Sequence, residues 1–408
     1  AKGHAVILLY IKLLLEKKMK QTILVGIFAS ILVGGFLSYP LLVGSPQSVK
    51  SLNTEVTPTG VNKKVAMVAN ETVVQVAPDN ALHPGGVMYN AYTFNGTIPG
   101  PTIAIDQGDN LTITLINQGK LIHSLDFHAG IGPSRVLSGS VSPGENKTWS
   151  LMGVNGGGFL YHCGADGLNG VWEHIANGMY GTIVVHPTNE QKAKEFAVTF
   201  SEIYNNADPG VFNEVNGTGS FDIGKFLSED ADLVLTNGMA FKYVPSVGQV
   251  SKLELNPNAT VFKVKPGEPT RWFINNPGPT DGVAFHFISG QQDVRDGFNA
   301  EAKDYGVTQL NDENWWIPPG STSVIESTFP EPGVYVAVDH NMADVVKGGA
   351  FAILAVDNST ATDIPDGAWV PPKGSEFVGG NQQAQWVAEY SGGQANQTAT
   401  SGSNQTAA

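Results

Sequence analysis

The chain has 408 residues and a formal net charge of −14. That acidity argues against nucleic-acid phosphates as partners, and a single cysteine excludes an intrachain disulfide. The 48 glycines and 24 prolines favour a turn-rich all-β chain, and the length favours two domains with additional segments.

Residues 1–45 read as a leader. Lys17, Lys18 and Lys20 precede an apolar run over residues 22–37, the pattern of an export signal or a single membrane anchor. Export to the periplasm or the extracytoplasmic face of the membrane is therefore expected. Residues 46–60 follow as a linker. A first β domain is expected over 61–187, where residues 111–116 alternate apolar and polar as a half-buried strand does. A second is expected over 188–357, because the pattern repeats. Ile105-Asp-Gln-Gly-Asp-Asn-Leu-Thr-Ile-Thr-Leu-Ile-Asn117 resembles Val264-Lys-Pro-Gly-Glu-Pro-Thr-Arg-Trp-Phe-Ile-Asn275. Likewise Ser142-Pro-Gly-Glu, leading to His162, resembles Pro318-Pro-Gly-Ser, leading to His340. Short strands with Gly/Pro turns predict a Greek-key sandwich twice over. Residues 358–408 read as a low-complexity tail, rich in Gly, Gln, Asn, Ser and Thr from Gly374 onward, in which Trp386 and Tyr390 could pin part of the segment.

The stretch Tyr161-His162-Cys163, followed by His174-Ile-Ala-Asn-Gly-Met179, carries the chemistry. Upstream lies His123-Ser-Leu-Asp126-Phe-His128. A thiolate, two imidazoles and a thioether are the donor set of a blue-copper centre, with a trigonal His₂Cys plane and a weak axial Met. Taken singly, each residue has a plainer reading. A lone cysteine is usually a small buried hydrophobe, Met179 core filler, and a histidine in an apolar strand a satisfied core residue. Their order and spacing, together with the upstream pair, outweigh those readings. His83 and His186 read as surface or strand-end residues.

Successive side chains on a strand point to opposite faces, so His162 and Cys163 serve different sites. His123 and His128 are an odd number of residues apart and divide in the same way, whereas Asp126 shares the face of His128. One constellation is therefore His123, Cys163, His174 and Met179. The other is His128 and His162 beside Asp126, and it lacks at least one ligand. The second half of the chain offers His286 and His340. Three histidines with one open position make a catalytic metal site.

On these motifs the chain resembles the copper-containing nitrite reductases of the two-cupredoxin-domain type. Tyr92-Thr-Phe-Asn-Gly-Thr-Ile-Pro-Gly-Pro101, Ala-Phe-His286-Phe-Ile and Val-Asp-His340 extend the match over roughly residues 91–356. The resemblance implies two tandem Greek-key cupredoxin-like β-sandwich domains and two coppers per chain. The type 1 copper would take His123, Cys163, His174 and Met179, and the type 2 copper His128, His162 and His340. Asp126 and His286 would be the catalytic residues in reducing nitrite to nitric oxide. A homotrimer is implied, with His340 and His286 supplied by a neighbouring chain. The electron donor would be a small cupredoxin or a c-type cytochrome. The chain departs from the pattern in the ten residues between Cys163 and His174, a slightly long loop, and in the segment after His286.

Two rivals belong to other classes. A laccase-like two-domain multicopper oxidase needs paired His-x-His motifs and a histidine after the cysteine. The chain has no His-x-His, and Gly164 follows Cys163. A blue-copper electron carrier without catalysis would leave Asp126, His128, His162, His286 and His340 without a role.

Overall fold

A computed structural model describes residues 56–80, 82–131, 139–165, 170–206, 218–244 and 260–379. The leader, the linker up to residue 55, Trp386 and Tyr390 lie outside the described residues. No helix among the described residues is long and apolar enough to cross a membrane.

Two β-sandwiches follow one another along the chain. In the first, one sheet has the spatial order Val87–Phe94, Asn62–Ala77, Asn110–Asn117, Asn146–Met152. The facing sheet has the order Ile103–Asp106, Tyr180–His186, Gly157–His162, Asp126–Phe127. Asn110–Asn117 alternates strictly in burial. Leu111, Ile113 and Leu115 point into a core shared with Met67, Phe127, Trp149, Tyr161 and Cys163. Thr112 and Thr114 point outward and hydrogen-bond across to Ser150 at 3.0 Å and Thr148 at 2.8 Å. Period-2 patterning thus selects the buried face, and each large apolar side chain so buried is worth about 1.5–3 kcal/mol.

The second sandwich repeats the connectivity. Asn62–Ala77 pairs in parallel with Asn110–Asn117, as Lys194–Ile203 does with Thr270–Gly278. Ile103–Asp106 pairs in parallel with Tyr180–His186, as Phe262–Val264 does with Ala350–Ala355. Asp126–Phe127 lies antiparallel to Gly157–His162, as Val283–Phe287 does to Gly333–Asp339. The duplication read from two sequence segments therefore extends to strand pairing. The second core is aromatic, with Trp272 stacked on Phe196 at 4.3 Å and Phe262, Phe285 and Phe351 around them.

The sandwiches pack sheet against sheet. Ala104 and Val184 of the first join Ala197, Phe273 and Val324 of the second in one buried cluster. Consequently Tyr180–His186 and Thr270–Gly278 are buried along their whole length. Gly158 permits the approach, since a Cβ there would lie 2.7 Å from Thr322. The first part of the segment expected as a tail is ordered and straps both halves. Ala197 donates its N–H to the Ala368 carbonyl and Ala104 to the Val378 carbonyl, while Trp369, Val370 and Val378 are buried. These apolar residues interrupt the polar composition, which is why the strap has something to bury.

Candidate metal centres

Tyr161 and His162 end the strand Gly157–His162, and Cys163 follows directly. The strand end sends His162 and Cys163 to opposite sides, as the alternation predicts. Cys163 enters the first core and is completely buried. Its Sγ lies 3.3 Å from His174 Nδ1 and 3.9 Å from His123 Nδ1, and the two Nδ1 atoms are 3.2 Å apart. Donors bonded at about 2.0–2.3 Å to one ion in a trigonal plane would lie roughly 3.5–3.7 Å apart, so one ion fits among these three. Met179 is buried in the same core cluster, and its backbone carbonyl accepts the Cys163 N–H at 3.0 Å.

The surroundings orient the donor atoms, clearly so for His123. The Glu71 carboxylate can only accept, so His123 Nε2–H donates to it at 2.7 Å and Nδ1 presents a bare lone pair. Burial, opposed by Glu71, holds the His123 pKa down, and burial followed by His123 pushes His174 down to about 4. Both shifts favour the neutral ring, the form a ligand must take. Burial pushes the Cys163 thiol up to about 12, although the Ser124 and Ala165 backbones hydrogen-bond to it. The Ser124 N–H donates to Sγ at 3.3 Å, and Ser124 Oγ accepts from the Gly164 N–H at 3.0 Å. A cation in this pocket would offset the cost of the thiolate.

His174 is carried by the short helix Val171–Ala176, whose C-cap Asn177 is fastened on two sides. Its Oδ1 accepts from the Tyr89 hydroxyl at 3.1 Å, and its carbonyl from the Tyr92 N–H at 3.0 Å. Trp172 of the same helix stacks on Phe226 of the second sandwich at 5.2 Å.

On the other side of the strand, His162 Nδ1–H donates to the Cys163 carbonyl at 3.0 Å. That leaves His162 Nε2 facing His128 Nε2 at 3.2 Å, with Asp126 Oδ2 at 3.8 Å from His162 Nε2. Asp126 and His162 are direct cross-strand partners. Burial and then His162 lower the His128 pKa, while Asp126 and a hydrogen bond to the Gly320 backbone oppose the shift. Two imidazole nitrogens this close, one of them a bare lone pair, fit a shared cation. This cluster is open, with the Asp126 side chain 45% exposed.

His286 and His340 come together elsewhere in the second sandwich, His286 on the strand Val283–Phe287 and His340 directly after the paired strand Gly333–Asp339. Their rings pack edge to face at 5.3 Å, and His286 Nδ1–H donates to the Glu313 carbonyl. Within one chain neither joins the Asp126, His128 and His162 group. His186 ends the strand Tyr180–His186 but is buried rather than at the surface. It meets Glu190 at 3.2 Å and Glu195 at 3.9 Å. Arg271 already supplies positive charge there, at 2.7 Å from Glu195 and 3.5 Å from Glu190, so this group is an ion network. His83 stacks on Phe241 at 5.5 Å. Glu71, Tyr92 and Ser124 are the residues about the clusters that sequence reasoning missed. Glu71 lies 52 positions from His123, and nothing in its local sequence marks it.

Two tandem β-sandwiches, one of them holding a buried Cys-His-His cluster, define a two-domain copper protein of the cupredoxin type. The profile of the multicopper oxidase family matches residues 75–190. The copper-containing nitrite reductase of Neisseria meningitidis is 29% identical over 284 residues, covering 68% of this chain and 67% of that protein. The structure of the copper nitrite reductase of Nitrosomonas europaea is similar with a TM-score of 0.61 and 30% identity, covering 74% of this chain and 96% of that one. A multicopper oxidase at 22% identity and a TM-score of 0.57 shares the fold. The chain belongs to the copper-containing nitrite reductase family.

Proposed function

We propose that this protein reduces nitrite to nitric oxide and water, consuming one electron and two protons per nitrite. The observation that carries the proposal is the adjacency of two donor clusters through one peptide bond. Cys163 belongs to the closed cluster and His162 to the open one. His123, Cys163, His174 and Met179 would hold the type 1 copper; His128, His162 and His340 would hold the type 2 copper. When bound, the first copper would relay single electrons and the second would bind and reduce nitrite.

The remaining chemistry belongs to the chain. The His162–Cys163 peptide joins the clusters covalently. His162 is oriented by its Nδ1–H bond to the Cys163 carbonyl, so its Nε2 faces the open side. Asp126, beside His162 and reachable by solvent, would orient nitrite and pass a proton to one of its oxygens. His286, paired with His340, would deliver the second proton. We place His340 and His286 of one chain against His128 and His162 of another in a homotrimer, because one chain holds only two of the three imidazoles together. A small cupredoxin or c-type cytochrome outside the cytoplasm would supply the electron.

Anaerobic turnover of nitrite with an artificial reductant, followed by nitric oxide detection and copper counting, tests the reading. Nitric oxide with two coppers per chain, one of each spectroscopic type, is expected. Four coppers with oxygen reduction would establish the oxidase instead, and one copper without turnover would establish an electron carrier.

A further inference from the structure

Glu71 and Tyr92 face each other as direct partners in the antiparallel pairing of Asn62–Ala77 with Val87–Phe94. Partners in such a register put their side chains on the same face of the sheet, about 4.5–5.5 Å apart at Cβ. Here that face covers the closed cluster, and the two side chains reach different imidazoles. Glu71 Oε1 accepts from His123 Nε2–H at 2.7 Å. The Tyr92 ring lies edge-on to His174 at 5.1 Å and to His123 at 6.2 Å. Its hydroxyl donates to Glu173 Oε1 at 3.2 Å, on the residue before His174.

The Glu71 carboxylate sits in a built cradle. Its Oε2 accepts the Lys120 N–H at 2.7 Å and its Oε1 the Leu121 N–H at 3.1 Å. Gly119 makes room, since a Cβ there would lie 2.6 Å from Oε1. The loop leading into His123 therefore grips the carboxylate that orients His123. A carboxylate on the far nitrogen of a ligating imidazole selects the tautomer, raises ligand basicity and adds negative charge beside the metal. More negative charge favours the more highly charged oxidation state, which lowers the reduction potential.

We propose that Glu71 is a positioning residue for the closed copper site, selecting the His123 tautomer and, with its partner Tyr92, lowering the reduction potential of the centre. The proposal rests on the copper reading above. It concerns how tightly the site holds metal and how readily it accepts an electron, so neither readout needs nitrite turnover.

The test uses the full chain as wild type, Glu71→Gln, Glu71→Ala and Tyr92→Phe. Cobalt(II) is titrated into copper-free protein against a chelator, following the thiolate-to-metal band. The midpoint potential of the copper-loaded protein is read from its visible band. Removing an outer partner of this kind lowers metal affinity about 10–100-fold, and Glu71→Ala should do so. Glu71→Gln keeps an acceptor but loses the charge. It should retain most of the affinity while shifting the reduced-to-oxidised ratio toward the reduced form about tenfold, or about 59 mV for one electron. Tyr92→Phe should change both less. A residue that only braces the strand would lower the melting temperature without moving the midpoint. Should Glu71→Ala fail to fold, the midpoint of Glu71→Gln decides alone. A midpoint in Glu71→Gln equal to wild type overturns the proposal and leaves the copper reading intact. Wild-type protein with no thiolate-to-metal band, with cobalt or with copper, overturns both.

Discussion

The two clusters beside the His162–Cys163 bond differ most in access. Around Cys163, all three donors are buried, and the Glu71 hydrogen bond turns the His123 Nδ1 lone pair inward. Around His162, Asp126 is nearly half exposed, and the imidazoles stand at the edge of the first sandwich. A closed, rigid pocket suits a metal that changes charge without changing ligands, and an open one suits a metal that must exchange water for substrate. One strand end serves both because adjacent residues on it face opposite sides. The comparison teaches that burial, rather than ligand type alone, separates the two roles.

The largest expected effect comes from breaking the closed cluster. Cys163→Ala should abolish the intense visible absorption and leave an ordinary type 2 copper EPR signal. Because the chain has no second cysteine, a mutant that stays coloured would show that the band does not arise from a copper–thiolate bond and would overturn the assignment of Cys163.

Breaking the open cluster should act across chains. His128→Ala and His340→Ala should each lose type 2 copper and turnover while keeping the blue colour. Mixed subunits of the two should regain part of the activity, because some boundaries then carry all three imidazoles. Full activity in a monomer, measured by light scattering and assay together, would overturn the trimeric arrangement.

Asp126→Asn sharpens the comparison without dismantling either cluster. It should keep both coppers yet lower nitrite turnover about 10²–10⁴-fold, the range for a positioned acid or base. His286→Ala should act in the same direction, and the double mutant should lose far less than the product of the single losses. Turnover that falls only in proportion to copper content would make Asp126 a ligand support instead.

The smallest effect concerns the frame that holds both clusters. Burial pushes the His186 pKa down, but the Glu195 charge and the Glu190 hydrogen bond and charge outweigh it and raise it to about 9. A folded-state pKa above the unfolded value adds stability that is fully present below about pH 6.5 and is lost as pH rises through about 9. Thermal unfolding should show stability declining over that window by on the order of 1–3 kcal/mol. The His186→Gln variant should show a flatter profile there, and an identical slope in both proteins would refute the assignment.

Much of this was legible along the chain. Cys163, His174 and Met179 are near one another in sequence, and alternation alone separates His162 from Cys163, because strand periodicity is a local property. The paired segments at residues 105–117 and 264–275 likewise announced the duplication, since the likeness of two turn-and-strand segments can be read within local windows. Glu71 was not legible. Its role comes from a strand register that sets it opposite Tyr92 and against a loop some fifty residues away. Nor did sequence announce that the polar C-terminal segment begins as a strap, because composition averages over Trp369, Val370 and Val378, and their burial depends on where the two sandwiches meet. Donor types, their order and the face each takes were set by the sequence itself. Which of them converge, how deeply they are buried and which outer carboxylate orients them were decided only by tertiary packing, because distances across a sheet depend on register and on sandwich contacts that no local window contains.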